Sequence, residues 1–233
     1  MDKYLENVKL NSEGIYKARG VIELNKEVQN KLIEDVTEIN FINLYANLLI
    51  KFHENDIFVN NNIIIDESII ERVKAFLYIR QGKNAIANAQ VGTDEWKECC
   101  YTEKVWINKL YIEELKSYTP MIFELYRQYM KQVFDDIIKY NPYTWLYLDT
   151  DHFFITGKYT HVNEETTNLF KQIGLPSDII YHNFIYISNL KQYITGDRAK
   201  IAERGKPIYK REDIIAIMKQ KIREIKINDL FIE

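Results

Sequence analysis

The segment Tyr147-Leu-Asp149-Thr-Asp151-His152-Phe-Phe-Ile-Thr156 holds the residues best suited to chemistry in this sequence. Two carboxylates separated by one threonine lie between two apolar, strand-like stretches, so the spacing predicts a hairpin with Asp149 and Asp151 at its turn. At that end they stand close enough to share divalent ions. Carboxylate oxygens are hard ligands suited to Mg2+ or Mn2+, and metals held this way neutralise a triphosphate and orient an attacking oxygen. Phosphoryl transfer is therefore the chemistry to weigh against a plainer one, a solvated acidic turn. Two residues alone do not decide between them.

The elements around the turn follow from hydrophobic period. Val36 to Ile50 reads as a strand that runs into a short helix, because alternation gives way to helical spacing. Asp66 or Ser68 caps a helix whose apolar face is Ile69, Ile70, Val73, Phe76, Leu77 and Ile79, continuing towards Asn88. Trp96 to Leu110 reads as a β excursion. Pro120 fits the first turn of a long amphipathic helix that ends at Asn141-Pro142, with Met121, Leu125, Met130, Val133, Phe134 and Ile137 inward. After the hairpin, Asn163 to Gly174 reads as helix, Tyr181 to Ile194 as strand, and Glu212 to Ile225 as helix. Helix and strand mix without regular alternation, so the expected class is α+β rather than doubly wound.

The 233 residues are 46% hydrophobic and 28% charged, enough for a sizeable core. A formal net charge of −3 argues against nucleic-acid binding by bulk positive charge, but not against a local basic groove. Such a groove is foreshadowed by Lys191, Arg198, Lys200, Arg204, Lys206, Lys210 and Arg211. The two cysteines, Cys99 and Cys100, are adjacent, which fits neither a disulfide nor a zinc site and suggests a reduced compartment. No signal-peptide pattern opens the sequence from Met1 to Ser12, and no apolar run is long enough to span a bilayer. A cytoplasmic protein is expected, with no membrane partner.

Several segments fall in a telling order. Asn40-Phe-Ile-Asn43-Leu44-Tyr45-Ala46, Asn88-Ala-Gln-Val91-Gly92 and Tyr147-Leu-Asp149-Thr-Asp151 resemble the first, second and third motifs of the family B DNA polymerases. Weaker likenesses keep the same order: Tyr16-Lys-Ala-Arg-Gly20, Tyr118-Thr-Pro-Met121 and Lys191-Gln-Tyr193. The resemblance is to the polymerising half of that family, most nearly the protein-primed bacteriophage type. It covers nearly the whole chain from Tyr16 onwards.

The resemblance implies a polymerase-like palm with an antiparallel sheet and packed helices, short fingers helices and a small thumb-like segment. Mapped on this chain, residues 1–66 and 96–196 are palm, 67–95 fingers and 197–233 a basic thumb. Asp149 and Asp151 would hold Mg2+ or Mn2+, with Asn40 as their partner in the catalytic set. Tyr45, Arg72, Arg80, Lys83 and Asn88 would bind the nucleotide, with Tyr45 excluding a 2′-hydroxyl. On a helix of about 100° per residue, Arg72 and Lys83 lie about 20° apart and Arg80 about 80° from Arg72, compatible with one phosphate-facing stripe. Lys191, Tyr193, Lys206 and Lys210 would contact DNA. The implied partners are dNTPs and primer–template or single-stranded DNA, with a separate exonuclease or other replication protein, since no exonuclease domain is expected here. For a viral gene the compartment would be the bacterial host cytoplasm.

Departures bear on activity. Asn40 stands where the family has an aspartate that bridges both metals, and an amide brings no negative charge. Glu38, two residues back on the same strand face, is the carboxylate placed to compensate. Asn84 replaces a lysine, with Lys83 displaced by one position, and Val91, Ala46 and Asn43 replace a tyrosine, a proline and a serine. Two expectations follow: a minimal DNA polymerase core in viral or plasmid replication, or an inactive polymerase-derived protein that binds nucleic acid or a replication partner.

Overall fold

The structure is a computed structural model that describes residues 2–14, 16, 20–87, 109–142, 144–157, 164–190, 192–195, 199–201 and 211–229, with only the backbone of residues 78–87, 112, 199–201, 211, 213–214 and 227–229. It is an α+β fold in two compact units, Val21–Ile42 with Val133–Glu233, and Met1–Gly20 with Asn43–Gln132. These bounds follow compactness and do not address the division into palm, fingers and thumb.

The unit that carries the acidic turn is built on an antiparallel sheet. Its strands are β1 (Ile22–Leu24), β2 (Leu32–Phe41), β3 (Trp145–Asp149), β4 (His152–Thr156), β5 (Ser177–Asn189), β6 (Gln192–Thr195) and β7 (Ala199–Ile201). They lie in the order β1-β3-β4-β2-β5-β6-β7. β2 is central, and Val36, Thr37, Glu38 and Ile39 are all buried along it, as a strand covered on both faces requires. One face packs on helices. Phe153 meets Phe134 from the C-terminal half of helix α4 (Thr119–Tyr140) at 6.3 Å and Phe170 from α5 (Glu164–Ile173) at 5.8 Å. Asn141 ends α4 by bonding its side-chain amide to Ile137 O and to Thr166 Oγ1, each at 2.8 Å. α6 (Arg211–Asp229) sets Met218 and Ile222 against Tyr186 and Ile194.

The other face gathers Val36, Tyr147, Phe154, Ile185, Ile187 and Tyr193 into one cluster. Strand order places β2 and β5 between β4 and β6. In a flat sheet three strand spacings would hold Tyr193 about 14 Å from β4. Its ring centroid is instead 5.1 Å from that of Phe154 and 6.2 Å from that of His152, so the sheet curls and this face is its inside. Asp35, at φ 51°, drops out of the β2–β5 ladder between the pairs Glu34↔Phe184 and Val36↔His182, with the register unchanged on either side.

The second unit is helical, with α1 (Leu44–Glu54), α2 (Ile57–Asn60), α3 (Glu67–Ala87) and the first half of α4. Its core is aromatic: Phe52 packs edge-on to Tyr126 at 5.2 Å and to Tyr129 at 5.6 Å. Asp66 starts α3 by accepting the Ser68 N–H at 2.7 Å, and that serine holds the Asp66 carboxyl below the ordinary carboxylate range. The N-terminal segment is fastened by Asn61, which accepts Leu10 N–H at 2.7 Å, and by Asp2, which accepts the Tyr129 hydroxyl at 2.6 Å. No helix among the described residues is long and apolar enough to cross a membrane.

The structure departs from expectation over Tyr181–Ile194. The single strand expected over Tyr181–Ile194 is two antiparallel strands, because Asn189 caps a turn by accepting the Leu190 N–H at 2.8 Å. The β excursion expected over Trp96–Leu110 lies almost wholly outside the described residues, and Leu110–Glu114 forms a π-helical turn.

Candidate functional site

Strand register builds the site. Across the inside of the curled sheet, Asp149 on β3 pairs with His152 on β4, His152 with Asn40 on β2, and Asn40 with Asp178 on β5. Directly opposed residues of antiparallel strands share a face, with Cβ atoms about 5 Å apart. Asp149, His152, Asn40 and Asp178 therefore form one cross-strand row. The two segments expected to meet do share a face, though β4 stands between Asn40 and Asp149.

The turn is held by backbone. Thr150, at φ 51°, donates its N–H to Val21 O at 2.7 Å, and Asp151 O accepts the Phe41 N–H at 2.6 Å, which ties the hairpin tip to the end of β2. A β-branched residue at positive φ is strained, and such strain persists where surrounding bonds enforce it. The two carboxylates end in different surroundings. Asp149 is 1% exposed and accepts the Thr150 hydroxyl at 3.3 Å, whereas the Asp151 side chain is 48% exposed.

Two imidazoles sit behind this rim. His152 is buried, with Nδ1 2.8 Å from Asp151 Oδ1 and Nε2 3.1 Å from the Tyr193 hydroxyl. His182 is buried 2.6 Å from Glu38, and the Phe154 ring lies near both imidazoles, at 5.6 Å from His152 and 6.1 Å from His182. Glu38, read from sequence as the carboxylate that would compensate for Asn40, is thus engaged with His182 one level deeper on β2.

Among the described residues, no three His, Cys, Asp or Glu side chains converge as a metal-holding group. That does not conflict with Mg2+, which proteins usually bind through one or two carboxylates while water and substrate phosphate complete the shell. Asp149, Asp151 and the Asn40 amide are hard oxygen donors and fit that role.

The expected nucleotide-binding residues belong to the helical unit. The Tyr45 ring packs against Phe123 at 5.2 Å and Tyr126 at 6.0 Å, and its carbonyl accepts the Tyr111 hydroxyl at 3.2 Å. Arg72 is on the exposed side of α3, where both its terminal nitrogens bond the Glu114 carboxylate. The guanidinium holds the Glu114 carboxyl below its usual range, and the pairing raises Arg72 in turn. Arg80 and Lys83 lie on α3, on the stretch where backbone alone is described. Asn88, Lys191, Lys206 and Lys210 lie outside the described residues. Tyr193, expected on the DNA-contacting surface, is 6% exposed and points its hydroxyl at His152.

His152, Asp178 and the inward role of Tyr193 had weak sequence signals. Alternation in His152-Phe-Phe-Ile-Thr156 puts His152 on one face with Phe154, but nothing local says that the face is inside. Asp178 follows Pro176-Ser177, a pair that reads as loop.

No protein-family model matches the chain, and no curated protein matches it in sequence. Among solved structures, it is similar to the family B DNA polymerase from the hyperthermophilic archaeon Pyrobaculum calidifontis, with a TM-score of 0.48 and 15% identity. The match covers 94% of this chain and 35% of that polymerase, so the chain spans about a third of that polymerase's length.

Proposed function

We propose that this chain is a minimal core of the family B polymerase kind that carries out template-directed deoxynucleotidyl transfer in viral or plasmid DNA replication. The observation that carries the reading is the cross-strand row. Asn40 and Asp149, which fall in two separate motifs of the family pattern, stand at one level on the same face of the sheet, with Asp151 in the adjoining turn.

Divalent ions, Mg2+ or Mn2+, would supply charge neutralisation on the triphosphate and a more nucleophilic primer hydroxyl. Asp149 and Asp151 would hold them, and Asn40 would add an amide oxygen. The burial of Asp149 strengthens its attraction for a cation, because little water screens it. From the resemblance, Tyr45 selects deoxyribose, Arg72, Arg80 and Lys83 bind phosphate, and Asn88 lines the nucleotide pocket. Arg72 must exchange Glu114 for phosphate to do so. Lys191, Lys206 and Lys210 would follow the DNA backbone, and binding would weaken steeply with salt. Tyr193 serves the interior of the site instead. A separate exonuclease or other replication protein would be its partner, and the cytoplasm its compartment, that of the bacterial host for a viral gene.

A second reading, a polymerase-derived protein that binds nucleic acid without chemistry, is favoured by two observations. Asn40 brings no charge to the row, and Glu38 is already paired with His182. Primer extension in Mg2+ and Mn2+ separates the readings. Extension by wild type that Asn40→Asp increases and Asp151→Asn abolishes supports the enzyme. Extension undiminished in Asp151→Asn refutes the site, and no incorporation by wild type or Asn40→Asp leaves the binding reading.

A further inference from the structure

We propose that His152 and Tyr193 are positioning residues that fix the orientation of Asp151 towards a divalent cation. The inference rests on the metal site proposed above and assigns it a supporting chain.

Asp151 belongs to a turn, and its side chain is 48% exposed. A carboxylate there would ordinarily sample several rotamers, each aiming its oxygens differently. His152 removes that freedom. Its Nδ1 lies 2.8 Å from Asp151 Oδ1. An ionised carboxylate has no proton to give, so Nδ1 bears the hydrogen and donates it. In the neutral imidazole Nε2 is then an acceptor, and the Tyr193 hydroxyl, 3.1 Å away, donates to it. Tyr193 is itself immobilised, with its ring 5.6 Å from Tyr147 and 5.1 Å from Phe154 inside the curl of the sheet.

The result is a chain of hydrogen bonds that starts in the apolar interior and ends on an exposed acid. It occupies Oδ1, so Oδ2 is the oxygen offered to the cation. It also joins β6 to the hairpin tip, two elements that strand pairing leaves unconnected. Outer partners of this kind usually change metal affinity or activity by about 10- to 100-fold when removed.

The test reads Mn2+ binding directly, from the electron paramagnetic resonance signal of free Mn2+ titrated with the full chain, without nucleotide or DNA. Wild type is compared with Asp151→Asn, Tyr193→Phe, His152→Ala and His152→Asn, each checked for native circular dichroism. Tyr193→Phe keeps the ring and removes only the hydroxyl, and is expected to weaken Mn2+ binding about 3- to 10-fold. His152→Ala is expected to weaken it about 10-fold or more, and His152→Asn to recover part of that, because its amide can place an N–H near the position of Nδ1. If His152→Ala fails to fold, Tyr193→Phe and His152→Asn decide. Unchanged affinity in those two, with affinity lost in Asp151→Asn, overturns the positioning chain and leaves the metal site standing. A wild type that binds no Mn2+, or binding indifferent to Asp151→Asn, overturns both.

Discussion

Replacing Asn40 with aspartate adds a carboxylate to the cross-strand row, and the cost can be worked from strand geometry. Asn40 and Asp149 stand two strands apart at one level, with His152 between them. A strand spacing of about 4.8 Å puts their Cβ atoms about 10 Å apart at most, because the sheet curls towards this face. Two like charges at that distance repel by about 1.7 kcal/mol at an effective dielectric constant of about 20. Asp178, opposite Asn40 on β5, is exposed and adds less because water screens it. In a chain of this size 1 kcal/mol moves Tm by about 2–4 °C, so Asn40→Asp in EDTA should melt about 3–7 °C below wild type. A cation bound within the row reverses the sign. Binding to the folded state alone stabilises by about 2.7 kcal/mol at a hundredfold excess over Kd, enough to outweigh the repulsion. Differential scanning calorimetry in EDTA and in Mn2+ reads both effects. Equal midpoints in EDTA, or a variant midpoint indifferent to Mn2+, would refute the placement of Asn40 beside the proposed cation site of Asp149 and Asp151.

Three further outcomes are expected. Thr150→Gly relieves positive-φ strain but gives up the hydroxyl bond to Asp149 and adds unfolded-state entropy, so Thr150→Asn, which tolerates positive φ, should be the more stable of the two by about 1 kcal/mol in urea unfolding; a more stable glycine variant would contradict this. Glu38→Ala removes the carboxylate hydrogen-bonded to the buried His182 and should cost about 1–3 kcal/mol, whereas an unchanged stability would show that the contact contributes nothing to the fold. Burial raises the Tyr111 and Tyr126 hydroxyls, 3.0 Å apart, above the usual tyrosine range. Their contribution to stability is therefore complete below the unfolded value of about 10 and is lost as pH climbs towards the higher folded values. Tyrosinate absorbance should accordingly show a late group that ionises together with loss of circular dichroism, and full titration of all tyrosines in a still-folded protein would contradict it.

Local pattern carried much of the architecture. The change of period near Phe41 marks β2 running into α1, Pro120 marks the start of α4, Gly174 at φ 61° ends α5, and the Asp149–Asp151 turn separates β3 from β4. Other features were hidden for physical reasons. β1 is three residues, too short to show alternation. The turn between β5 and β6 uses Asn189 and Leu190 without Gly or Pro, so the sequence reads straight through it. The site depends still more on distant pairings. Glu38 meets His182 across 144 positions and Tyr193 meets His152 across 41, and no local period encodes which strand lies beside which. The acidic turn was therefore legible, while the residues that orient it and the inward fate of Glu38 and Tyr193 emerged only from the sheet order.

The most direct test is anomalous diffraction from crystals grown with Mn2+ and a non-hydrolysable dNTP. A manganese peak is expected within coordination distance of the carboxylates of Asp149 and Asp151, on the Asn40 side of the hairpin tip. Manganese bound elsewhere, with both carboxylates facing only water, would contradict it.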